Sequence, residues 1–135
     1  MVKDTKNFNV SEFACHCGCG YNVIDQRVIN MAQAIRDELG VPVHVNSGCR
    51  CRKRNKAVGG VTGKPPLYEG ESFHVKGKAC DLSCCLGAIK MFEAVKKLKY
   101  EGKLPDLEYC ILYKGKNFIH IDCGGKRKSL WEVRR

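Results

Sequence analysis

Two short segments concentrate side chains that could bind a metal ion and use it. In residues 72–81, SFHVKGKACD, His74 stands in a loop and Asp81 follows seven residues later on a strand. In residues 118–122, FIHID, His120 and Asp122 are two apart and so share one face of a strand. Two imidazoles and a carboxylate are the usual protein donors of a catalytic zinc site, which leaves one coordination position open. By spacing alone, each histidine could equally be a hydrogen-bonded structural residue.

These side chains need strands to carry them, and alternation supplies the strands. Residues 79–83 place Ala79, Asp81 and Ser83 on one face and Cys80 and Leu82 on the other, with Cys84 continuing the second face. The second face is apolar and belongs to the core, so Asp81 points away from it. Likewise Ile119, Ile121 and Cys123 oppose His120 and Asp122. Further strands are expected at 42–46, 108–113 and 117–122, the last two joined by a hairpin at 114–116, with an edge strand at 129–133.

Apolar residues at three- and four-residue steps predict a helix over 25–39, stopped by Gly40. A second helix is expected over 86–100, with Ile89, Phe92, Val95 and Leu98 on one face. Residues 9–13 and 50–56 read as single helical turns, and the glycine- and proline-rich stretch 58–70 as a loop. The pattern predicts an α+β fold: one small domain over 1–135, with helices packed on a mostly antiparallel sheet.

The 135-residue length suits one core. No apolar run reaches the ~18 residues of a membrane span, and the polar start has no signal-peptide core. Release by a phage or prophage route, or a leader missing from the sequence, is therefore expected. The net charge of +10 draws the surface toward polyanions, with anionic cell-wall polymers as the expected class. Specific nucleic-acid binding is not expected, because no interleaved aromatics or binding motif accompany the charge.

The ordered motifs resemble a known family. Ser-x-His-x-x-Gly-x-Ala-x-Asp at 72–81 and Phe-Ile-His-Ile-Asp-x-Gly at 118–124 are similar to the zinc D-Ala-D-Ala carboxypeptidase family. That family includes peptidoglycan endopeptidases and phage endolysins and is related to the hedgehog fold. Ser47-Gly48-Cys49-Arg50-Cys51, Asn55 to Gly60, and residues 8–20 with their cysteine–glycine pattern extend the likeness over about 8–124, leaving a basic tail at 125–135. The resemblance implies a single-domain monomer, a zinc peptidase cutting peptidoglycan stem peptides at the bacterial cell wall. It implies His74, Asp81 and His120 as metal ligands and Arg50 and Ser72 as substrate-binding residues. A non-catalytic wall-binding module of the same fold is the alternative.

Two departures bear on mechanism. Cys49 stands where the family has tyrosine, a change expected at the floor of the substrate pocket. Where some relatives have a general base three residues before the last zinc histidine, this chain has Asn117, which cannot titrate. Asp122 is then the first choice for the base, with support of a zinc ligand as its other role, and Glu71 and Glu108 follow. Among the ten cysteines, the alternately spaced Cys15, Cys17, Cys19, Cys49 and Cys51 could hold a second, structural metal, form disulfides or remain free thiols. Cys80, Cys84 and Cys123 are expected as buried hydrophobes.

Overall fold

The computed structural model describes residues 1–125 and 129–135; Lys126 to Lys128, part of the basic tail, lie outside the described residues. A 3-10 turn at Val10–Phe13 is followed by helix α1 (Gln26–Leu39), strand β1 (Val43–Ser47), the short helix α2 (Arg52–Ala57) and β2 (Ala79–Cys84). Then come α3 (Ala88–Tyr100), β3 (Tyr109–Tyr113), β4 (Phe118–Asp122) and β5 (Trp131–Arg134). The sheet order is β1-β2-β4-β3-β5. Its pairings are antiparallel except for β5, which runs parallel to β3 along the edge. This is the α+β architecture that the alternation predicted.

The helices form where local signals agree. Asp25 caps α1 by accepting from the Arg27 N–H at 2.9 Å, and Gly40 ends it in the left-handed conformation, φ 69°. Val28, Met31, Ala32 and Ile35 bury the expected stripe. In α3 the buried stripe is Ala88, Met91, Phe92, Val95 and Leu98. Ile89, expected on that face, is exposed: it lies one residue, or ~100° of rotation, off the stripe.

Both helices pack against each other and contact the sheet. Cys80, Leu82, Cys110, Leu112, Ile119 and Ile121 close the core from the strand side. Cys80 and Cys123 are buried there, while Cys84, at the end of β2, is only half-buried. The opposite face of the sheet carries no helix of comparable length, so whatever projects from it meets a groove. That face is set by register: Asp81 pairs with His120, His120 with Ile111, and Ile111 with Glu132. These four residues form one row across β2, β4, β3 and β5 and point to the same side.

Candidate metal centre

The row delivers Asp81 and His120, and a loop delivers His74. The loop is held locally by the Ser72 Oγ, which accepts from the His74 backbone N–H at 3.2 Å. Arg50 N–H in turn donates to the His74 carbonyl at 2.9 Å. His74 Nε2, His120 Nδ1 and Asp81 Oδ1 converge with separations of 3.2, 3.3 and 3.1 Å. Donors at ~2.0–2.1 Å around a tetrahedral ion are ~3.3–3.4 Å apart, so the triangle has the dimensions of a zinc site.

The tautomers fit as well. His74 Nδ1 lies 2.7 Å from the Gly48 carbonyl, which can only accept, so the proton is on Nδ1 and Nε2 offers a lone pair. His120 Nε2 lies 2.7 Å from Asp122 Oδ2, which likewise fixes the proton on Nε2 and frees Nδ1. Three lone-pair donors therefore face one point, an arrangement that calls for a cation between them. Gly48 makes the His74 contact possible, because a Cβ there would lie 2.3 Å from the Phe13 carbonyl oxygen.

The electrostatics agree. Burial opposes charge on Asp81, yet the two imidazoles hold its carboxyl below the usual range. Burial pushes His120 down, but its bonds to Asp122 and Asp81 prevail and raise it to about 9. The site thus favours positive charge between its carboxylates.

The three atoms sit in an open groove of about 820 Å³ whose walls include Arg50, Ser72, Glu71, Tyr109 and Lys76. Arg50 is largely buried, which pushes its guanidinium pKa down while Asp81 opposes the shift. Its Nη1 donates to Asn55 Oδ1 at 3.3 Å and its Nη2 lies 3.8 Å from Asp81 Oδ2. Its Nε has no hydrogen-bond partner among the described residues. A guanidinium with donors left over suits an incoming carbonyl or carboxylate.

Other expectations fare differently. Asp122 shares the His120 face, but its carboxylate is buried behind the imidazole, against Nε2, on the far side from the converging atoms. That position orients a ligand. Glu71 is held by both Arg52 Nε and Nη2 at 3.1 Å, and Glu108 does not line the groove. Cys49 is not at the groove floor: its thiol turns to the Tyr21 carbonyl at 3.3 Å. Asn117 adopts φ 56° and its Oδ1 accepts from Ala88 N–H at 2.8 Å, capping α3 instead of facing the site. Of the five cysteines grouped in sequence, Cys15, Cys17, Cys19 and Cys51 come together and Cys49 stays apart.

Sequence reading missed three contributors. Asn55, almost fully buried, bridges Arg50 to the loop by donating to the Val61 carbonyl at 2.9 Å; a polar residue inside a basic turn was its signal. Tyr109 alternates with core Cys110 and so could have been assigned to the site face. Its hydroxyl donates to Glu132, whose place depends on the non-local β3–β5 pairing.

Comparison with known proteins agrees with this geometry. The peptidase M15 family model matches residues 6–122. No curated protein and no solved structure matches the chain.

Proposed function

This chain belongs to the peptidase M15 family, and from that premise we propose that it is a zinc metallopeptidase hydrolysing peptide bonds of peptidoglycan, as a D,D-carboxypeptidase or an endopeptidase of the endolysin kind. The observation that carries the reading is the convergence of His74 Nε2, Asp81 Oδ1 and His120 Nδ1 on the floor of an open groove. Zinc held by these atoms supplies Lewis-acid polarisation of the scissile carbonyl and lowers the pKa of water toward ~7.

The remaining work falls to the chain's own groups. Gly48 and Asp122 hold the two imidazoles in the metal-binding tautomers. Arg50 orients the stem peptide through a carbonyl or carboxylate, with Asn55 fixing its fork. Ser72, on the groove wall, offers its hydroxyl to the substrate backbone while its oxygen steadies the His74 turn. Proton transfer is assigned to the Tyr109–Glu132 pair: Tyr109 lines the groove, and Glu132 lies in the row of Asp81 and His120. The basic surface keeps the enzyme at the anionic bacterial wall.

Digestion of purified peptidoglycan with mass-spectrometric reading of the products tests the proposal. Expected are fragments cut at peptide bonds, with glycan strands intact, abolished by a chelator and restored by zinc. A zinc-loaded protein that binds wall peptides yet releases no fragment would instead be a non-catalytic module of the same fold.

A further inference from the structure

A second group of donors lies outside both the groove chemistry and the core. The sulfurs of Cys15, Cys17, Cys19 and Cys51 all lie within 4.8 Å of one another. Cys15 and Cys17 are 3.4 Å apart, and each is 3.7 Å from Cys51. All four are free thiols. Zinc–sulfur arms of ~2.3 Å in a tetrahedron set neighbouring sulfurs ~3.8 Å apart, so these separations match four thiolates around one ion.

Burial does not explain the gathering. Cys17 and Cys19 are exposed, and thiol–thiol hydrogen bonds are weak. The chain nevertheless bends to bring them together. Gly18 and Gly20 take φ of +81° and +83°, conformations that a side chain would strain, and Cys15 N–H donates to the Tyr21 carbonyl at 2.9 Å to close the loop. Backbone donors point at the sulfurs as well: Cys51 N–H to Cys15 Sγ and Arg54 N–H to Cys51 Sγ, each at 3.4 Å. Such donors stabilise thiolate charge. Cys49, two residues from Cys51, is buried and bonded elsewhere, so the selection of four from five is made by the fold.

We propose that Cys15, Cys17, Cys19 and Cys51 bind a zinc ion as a structural site, distinct from the groove, that fastens the loop at 15–20 to the start of α2. An all-thiolate tetrahedron selects a soft, four-coordinate metal and leaves no open position for substrate. Its consequence reaches the groove. His16, inside the loop, lines the groove, and Arg50 immediately precedes Cys51. The ion therefore braces the wall that carries the substrate-orienting arginine.

Cobalt substitution of the full chain under reducing conditions tests this independently of any peptidase activity. The expected result is about two metal ions per chain and a strong thiolate-to-cobalt charge-transfer band, with tetrahedral visible bands. Cys17→Ser should lose about one equivalent and most of that band, whereas His74→Ala should lose one equivalent and keep the band. Should the serine variant not fold, the unaltered chain still decides the matter. Its four thiols should resist alkylation until a chelator is added. Cobalt-loaded protein without a sulfur band, or thiols alkylated as fast with metal as without, overturns the site. So does mass spectrometry showing these cysteines joined as disulfides in the native protein.

Discussion

The His74–Asp81–His120 centre and the four-sulfur cluster both gather donors from distant segments, but they do it on different supports. Two donors of the first come from adjacent paired strands, and each imidazole is steered by its own partner, Gly48 or Asp122. The second rests on a glycine-bent loop and the cap of a six-residue helix, with two of its thiols exposed. A site built on a sheet has its geometry before the ion arrives, as catalysis requires. A site built on loops gets much of its order from the ion, as a structural clamp does.

The sharpest way to separate the two is to remove one donor from the rigid site. His74→Ala should lower peptide hydrolysis by at least ~10³-fold, since the Lewis acid supplies several kcal/mol of barrier reduction. Its denaturant midpoint should stay close to that of the parent. A large loss of stability in that variant would mean that the sheet site is as dependent on its ion as the loop site.

The next effect distinguishes support from proton transfer. Asp122→Asn should weaken zinc binding by ~10–100-fold, because the partner of a ligand imidazole is lost. Glu132→Gln should leave zinc bound and lower kcat by ~10²-fold or more, the usual worth of general acid–base catalysis. A drop in kcat with full zinc in Asp122→Asn and no change in Glu132→Gln would exchange the two roles.

Acidity provides a smaller, graded probe. His120 titrates at about 9 in the metal-free protein, and Asp122 already holds the proton on Nε2. The second proton therefore sits on Nδ1, the atom that faces the ion, and metal must displace it. Apparent zinc affinity of the groove site should rise about tenfold per pH unit up to about 9 and flatten above. Competition with a chelator across pH, using a chain lacking Cys17, reads this site alone. A flat profile below 9 would show that Nδ1 is not the ligand atom.

The mildest change expected is in Arg50→Lys. It should keep both metals and raise KM several-fold to ~10-fold, through loss of the planar fork. Unchanged KM for stem peptides would return Arg50 to an ordinary half-satisfied cation, and the bracing of its wall by the sulfur cluster would then have no functional consequence.

The fold and most of the groove site were legible in the sequence because they follow local rules. Alternation in 79–84 and 118–122 sorted core from site face, and spacing placed Asp81 and His120 on the latter. Helical steps and caps located α1 and α3, with Ile89 misplaced by one position of rotation. What the sequence could not state was how segments meet. His74 and His120 are 46 residues apart and Cys15 and Cys51 are 36 apart, so their convergence depends on strand register and loop closure. For the same reason the tertiary structure decided that Asp122 sits behind its histidine, that Asn117 caps a helix, that Glu132 joins the row through a parallel edge strand, and that Cys49 is left out of the sulfur cluster. Periodicity dictates which way a side chain faces, because it is a property of consecutive backbone units. What that side chain meets is settled by long-range pairing, which no short window of residues contains.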